Sequence, residues 1–309
     1  MNKAVKGYLS GALAAASYGT NPLFALPLLN KGIDAYSVLF LRYVFAIPML
    51  AAMMLARGRG FGLRRNQIVP LMVLGVLMAM SSLTLFISYS YIGAAIASTL
   101  LFVYPILVTI IMSLFFREKA SSTTVFCILL ATCGIGMLYR GDNGATLNTT
   151  GLVFIFLSAL SYAIYLVAVN GKKLKDVPTL KLTLYVILSG TVIYGAKFNV
   201  HCIDILSADP WLWSSAFCLA LFPTAISLLS TSAAIHEIGS TPVAILGALE
   251  PVTAVAIAVT VFNERLTWQL VTGILFVIVA VTLLIAGGKL NPYLLRVRKM
   301  FPRIRRGKE

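Results

Sequence analysis

Apolar residues in this chain come in continuous runs about 17–25 positions long, separated by short polar connections. The runs lie at Tyr8–Leu29, Asp34–Ala56, Ile68–Tyr91, Ala94–Phe116, Thr123–Tyr139, Gly151–Val169, Leu182–Phe198, Trp211–Ile235, Thr241–Phe262 and Trp268–Ala286. About 20 apolar residues in a helix cross the hydrocarbon core. Within a bilayer every backbone N–H and C=O must be paired inside the protein, so only helices and closed barrels span it. Barrel strands would alternate apolar and polar positions over about 10 residues, and these runs do not alternate. The pattern therefore predicts an all-α polytopic membrane protein with ten transmembrane helices. The connections leave no room for a soluble catalytic domain, and no Gly-rich phosphate loop is present.

Composition sharpens this reading. The chain has 309 residues, 59% hydrophobic and 11% charged; a soluble domain carries roughly 25% charged residues. Its mean hydropathy is +0.92. Lys3 and Lys6 precede the first run, and Ala14 and Ala16 resemble a signal cleavage site. The apolar stretch before them is short for a signal peptide and the run continues to Leu29, so it reads as a retained helix. Cys127, Cys133 and Cys218 fall inside runs, leaving Cys202 in a connection where it is expected to meet solvent. No disulfide framework follows.

The net charge of +15 is a topology signal. Basic residues cluster in alternate connections: Arg57, Arg59, Arg64 and Arg65; Arg117 and Lys119; Lys172, Lys173, Lys175 and Lys181. With the N-terminus and the tail these place about 20 Lys and Arg on one side, against about 4 on the other (Lys31, Arg140, Lys197 and Arg265). The positive-inside rule assigns the rich side, with both termini, to the cytoplasm. A multi-pass protein of a bacterial inner membrane is expected, with the lipid bilayer and a small-molecule substrate as partners and no nucleic acid. The sequon at Asn148 is discounted in that setting. The basic tail, 288–309, either anchors orientation or lies on the anionic inner leaflet. Oligomeric state is not legible.

Two copies of one unit are visible. Ile92-Gly93 recurs as Ile238-Gly239, Leu100 as Leu246, Pro105 as Pro251, Phe116 as Phe262, and Glu118-Lys119 as Glu264-Arg265, all at one separation. Ala79 and Ser81 match Ala225 and Ser227 at the same separation. Gly7, Ala15, Ser17 and Tyr18 match Gly151, Ala159, Ser161 and Tyr162 with a shift of two. Residues 7–140 form the first five-helix repeat and 150–287 the second. Five is odd, so the second copy enters from the opposite side, giving inverted repeats as in many secondary transporters.

With these features the chain resembles the drug/metabolite transporter superfamily, specifically EamA-type permeases, over nearly its whole length. The resemblance rests on Phe40-Leu41-Arg42-Tyr43, the segment from Tyr91 to Ser98, Leu249-Glu250-Pro251-Val252, Phe262 to Thr267, and Gly273. Tyr18-Gly19 stands where the family often shows Trp-Gly. The resemblance implies export or exchange of amino acids, metabolites or toxic compounds.

Arg42 and Glu250 are ionisable groups well inside runs. An intramembrane charge costs at least about 2.5–3.5 kcal/mol on insertion scales, so each should face the bundle interior. Glu250 is a substrate or proton site, or a packing ion pair with Arg42. Pro251 and Pro105 occupy matched positions, and paired breaks point to a midplane site. Asn21-Pro22 breaks the first run and offers an amide. Tyr18, Tyr89, Tyr104, Tyr162 and Tyr165 are candidates to line a cavity. Ser81, Ser82, Ser227 and Thr231 are candidate ligand contacts or helix-to-helix bonds. His236-Glu237, placed in a connection, lacks the second histidine of a zinc helix, so no metal or other cofactor is expected. A secondary transporter working by alternating access, with its cavity between the repeats, accounts for these features, and proton coupling is a possible part of it. An uncoupled facilitator is the alternative within transport. An intramembrane enzyme is the rival from another class, but it needs a catalytic pair within the runs.

Overall fold

The computed structural model describes residues 3–58, 60–116, 126, 129–130, 133–134, 148–169, 174, 177–238, 246–247, 249–263, 267–268, 271–280 and 282–283. Its elements are α1 (Lys3–Gly19), α2 (Asn21–Asn30), α3 (Ala35–Ala56), α4 (Arg65–Ile92), α5 (Ala94–Leu101), α6 (Tyr104–Phe116), α7 (Thr149–Val169), α8 (Thr179–Gly195), α9 (His201–Ala208), α10 (Pro210–Ala220), a π-helical segment (Leu221–Ile226), α11 (Ser227–Ile238), α12 (Leu249–Thr260) and α13 (Val271–Ala280). No strand occurs among the described residues. Ala35–Ala56, Arg65–Ile92, Thr149–Val169 and Pro210–Thr231 are each long and apolar enough to cross a bilayer alone, and shorter apolar helices accompany them. Most of the run Thr123–Tyr139, both Glu-basic pairs of the repeat and the basic tail lie outside the described residues.

The prolines explain where helices break. Pro22 has no N–H, which frees the carbonyl four residues earlier. That carbonyl belongs to Tyr18, and the Asn21 side-chain Nδ2 donates to it at 3.0 Å. The first run thus divides into α1 and α2 with no orphaned acceptor at Tyr18. Pro223 frees the Leu219 carbonyl in the same way, and the Thr224 hydroxyl donates to it at 3.4 Å within the π segment. The carbonyl facing Pro251 is that of Gly247, which accepts from the Glu250 N–H at 3.0 Å. Pro251 consequently opens α12 instead of kinking it, in the first turn where a missing N–H is harmless. The fourth run also divides, into α5 and α6, with Pro105 as the second residue of α6.

Two expectations about connections are corrected. Asn199–Asp209 is largely a short helix, α9, and Cys202 on it is 2% exposed. The signal was present: the Asp209 side chain accepts from the Trp211 N–H at 3.2 Å and Pro210 starts α10, so the connection ends in a capped helix start. His236 and Glu237 lie within α11, not in a connection.

Packing follows a paired plan. α1 lies along α11 and α12, while α4 lies along α7 and α8; α3 packs on α8 and α10, and α5 on α12. Close approach requires small residues, because lipid supplies no hydrophobic drive between helices. A Cβ on Gly75 would stand 2.3 Å from the Ser189 Cβ, and one on Gly190 would stand 2.6 Å from the Tyr43 ring. Gly93 ends α4 with φ +73°, a left-handed conformation that glycine adopts freely. The Ser158 hydroxyl donates to the Ser81 carbonyl at 2.7 Å, joining α7 to α4. The Ser227 hydroxyl donates to the Ala14 carbonyl at 3.0 Å, joining α11 to α1. By the sequence repeat Ser81 matches Ser227, and Ala14 matches Ser158, so these bonds occupy equivalent places with donor and acceptor helices exchanged.

Candidate substrate cavity

A cavity of about 260 Å³ lies between the helices of the two halves. It approaches the range of about 300–1,000 Å³ typical of small-molecule sites. α1 contributes Tyr18, α3 contributes Arg42 and Tyr43, and α6 contributes Tyr104. From the second half come Tyr162 and Tyr165 of α7, Thr183 of α8, Thr224 of the π segment, Ser227 and Thr231 of α11, and Glu250 of α12.

These five tyrosines form much of the wall. Tyr104 meets Tyr162 edge to face at 4.7 Å, and Tyr162 stacks on Tyr165 at 5.9 Å. Spacing of four on α1 and three on α7 turns Ala14 with Tyr18, and Tyr162 with Tyr165, toward the same side. Tyr43 packs on Tyr194 at 5.2 Å, and the Tyr194 hydroxyl donates to the Ala79 carbonyl at 2.8 Å.

Arg42 is 4% exposed, yet it borders the cavity. Its Nε donates to Thr224 Oγ1 at 2.9 Å, and its guanidinium carbon lies 6.0 Å from the Phe86 ring centroid. A guanidinium carries five N–H donors, so this bond leaves most of the fork for a ligand. Glu250 sits in the first turn of α12, where the helix dipole favours a carboxylate. The two charges share the cavity wall without a salt bridge; the described ion pairs are Lys31–Asp209 at 3.6 Å and His201–Asp204 at 3.5 Å, both in connections. The packing ion pair considered from sequence is therefore not formed.

The remaining sequence candidates divide. Asn21, Pro22 and Tyr89 line a second, much smaller cavity that also touches Tyr18 and Glu250. Ser81 is buried between α4 and α7, its oxygen 3.3 Å from that of Ser158, away from the central cavity. Pro251 is buried at the start of α12, and the side chain of Pro105 falls outside the described residues. Sequence reading missed Tyr43, Thr183 and Thr224. Pro223, alone in an apolar run, was the available signal for Thr224, because a proline there needs a neighbouring hydroxyl or amide to satisfy the freed carbonyl.

Among the described residues, apolar helices surround an aromatic cavity that holds two opposite charges not paired with each other, as suits a multi-pass membrane transporter. The sequence profile of the EamA-like transporter family matches residues 5–140 and again 149–286, and the chain belongs to that family, within the drug/metabolite transporters. It is 27% identical over 262 residues to an uncharacterized transporter of Archaeoglobus fulgidus, covering 84% of this chain and 90% of that one. It is likewise 27% identical over 283 residues to an uncharacterized transporter of Synechocystis sp., covering 84% and 82%. The fold matches a crystal structure of 18% identity with a TM-score of 0.64, over 90% of this chain and 95% of the other.

Proposed function

We propose that the protein is a secondary transporter that exports or exchanges a small zwitterionic metabolite, such as an amino acid, by alternating access. The observation that carries this reading is that Arg42 and Glu250 line the same cavity without forming a salt bridge to each other. A guanidinium fork suits a carboxylate in bidentate geometry, and the carboxylate of Glu250 suits an ammonium group. The tyrosine rings accept the apolar remainder of a ligand, and the cavity volume suits one small metabolite.

The proposal includes ten spans in two inverted repeats, 7–140 and 150–287, with both termini in the cytoplasm of a cell with an inner membrane. The matched serine bonds and the pairing of α1 with α11 against α7 with α4 support the repeat relation. The cavity extends toward Tyr165, Thr183 and Thr231, near the helix ends that carry the basic connections, so this form would open to the cytoplasm. On the other side Phe24 stacks on Phe222 at 5.5 Å and Arg42 bonds Thr224, closing the path.

The test is counterflow and pH-gradient-driven transport in proteoliposomes with a panel of amino acids and related amines and acids. Glu250→Gln keeps the shape and removes the charge. Coupled transport should be lost in Glu250→Gln; wild-type rates with unchanged pH dependence would remove Glu250 from the mechanism. Exchange that survives while gradient-driven transport fails would assign Glu250 to proton coupling. Wild-type transport that ignores every ion gradient would identify an uncoupled facilitator.

A further inference from the structure

We propose that the break between α1 and α2 forms a binding site for one sodium ion, beside the substrate cavity with which it shares Tyr18, Leu101 and Glu250. The second cavity has a volume of about 10 Å³, and its wall includes Tyr18, Asn21, Tyr89, Ser98 and Glu250. A space of about 10–15 Å³ holds a single water-sized body. A single sodium ion in an oxygen cage fits that limit.

Asn21 supplies the independent pointer to a ligand. It is 3% exposed, and its Oδ1 has no hydrogen-bond partner. Buried polar atoms are almost always paired, so an orphan at a cavity wall marks a missing partner. The amide cannot turn round without loss, because Nδ2 is held on the Tyr18 carbonyl that Pro22 leaves free. The oxygen is thereby fixed as the unsatisfied end of a side chain that belongs to the cavity wall. Glu250 adds a carboxylate, and Tyr89 and Ser98 add hydroxyl oxygens. The C-terminal end of α1 contributes the negative pole of its dipole. Close packing holds the parts together: a Cβ on Gly19 would stand 2.6 Å from the Glu250 carbonyl oxygen.

Charge distinguishes a cation from a water here. Glu250 has no salt-bridge partner, and Arg42 donates to Thr224 instead. A water would satisfy Asn21 Oδ1 and leave the Glu250 carboxyl to be neutralised by a proton; a sodium ion would satisfy both groups together. Broken membrane helices whose half-helix ends coordinate coupling ions are an established arrangement. Tyr18 and Glu250 border both cavities, so the ion would order the same side chains that meet substrate.

The experiment is thermal unfolding of the purified full-length protein in nanodiscs, titrated with NaCl against choline chloride or KCl at constant ionic strength. A ligand that binds only the folded state raises the unfolding temperature saturably. Sodium should give this rise and choline and potassium should not. Asn21→Leu should flatten the sodium titration, while Asn21→Asp, which keeps an oxygen, should retain it. Binding of radioactive sodium to the wild type, competed by unlabelled NaCl, gives the same answer without any variant. Equal responses to all three salts, with no competed sodium binding, overturn the proposal and leave a water pocket. That failure is distinct from failure of the transport reading: a flat titration with Glu250-dependent transport removes the sodium site alone.

Discussion

The first and second halves of the chain are built alike but equipped differently. Tyr104 and Glu250 hold equivalent places, each one residue before a matched proline, and both border the cavity. One half presents a phenol there and the other a carboxylate. Arg42 on α3 supplies the opposite charge from the first half. The repeat accounts for the scaffold, including equivalent serine bonds across α1–α11 and α4–α7, whereas the chemistry sits where the copies have diverged. A symmetric cavity would present like charges in pairs; divergence gives one of each sign.

The largest expected effect tests that divergence. Charge-assisted hydrogen bonds are worth about 1.5–3 kcal/mol, about 10- to 100-fold in affinity. Glu250→Gln should weaken substrate binding by that factor in a radioligand titration, while Tyr104→Phe at the equivalent place should change it by about threefold or less. Equal losses would mean that the two halves contribute alike.

Packing is next in size. Gly75→Ala and Gly190→Ala force a Cβ into contact at 2.3 Å and 2.6 Å, and overpacking costs about 1–3 kcal/mol. Both should lower the unfolding temperature in detergent by several degrees. Gly60→Ala, with nothing within 4 Å of its added Cβ, should stay within about 0.5 kcal/mol of the parent. A smaller effect sharpens the symmetry directly. Ser158→Ala and Ser227→Ala each remove a hydroxyl that donates to a carbonyl of the facing helix, a bond worth about 0.6 kcal/mol in a membrane protein, and Ser158→Ala also removes the longer contact to the Ser81 hydroxyl. Their thermal shifts should be similar, with that of Ser158→Ala equal or slightly larger; one large and one absent would show unequal junctions.

The smallest effect concerns α9 and should leave transport untouched. His201 has a side chain 88% exposed, while Cys202 beside it is 2% exposed. His201→Cys in a Cys202→Ser background should react with an impermeant maleimide in intact cells. Native Cys202 should react slowly, and burial pushes its thiol pKa up. Thiolate forms only above the usual thiol range, so its labelling should rise later with pH than that of the exposed cysteine. Labelling of His201→Cys only after lysis would reverse the orientation.

Hydropathy made the helical spans and their interruptions legible, and the charge rule for membrane interiors singled out Arg42 and Glu250. It did not separate lipid-facing from packed residues, because both surfaces are apolar. On α4, Val69, Met72, Val73 and Val76 are exposed, while Gly75, Ala79, Ser81 and Ser82 are buried. Ser81 and Ser227 look alike in sequence, but only Ser227 reaches the cavity, since one turn of a helix decides which neighbour a hydroxyl meets. Thr224 was hidden for a different reason: the π segment alters the register, and a period of 3.6 does not locate it.

That altered register has a consequence for how the chain tolerates change in length. A π turn is one residue longer than the α turn it replaces, so Leu221–Ile226 holds the equivalent of a single inserted residue. Deleting one residue there would restore a regular helix and leave α11 in its present rotation relative to α10, because the wide turn already absorbs the extra residue. Ser227 would keep the Ala14 carbonyl, while Thr224, inside the wide turn, would lose its place beside Arg42. A one-codon deletion within this stretch should therefore disturb the Arg42 contact and spare the junction of α1 with α11, whereas the same deletion inside α11 would turn the rest of that helix by about 100° and be far more damaging.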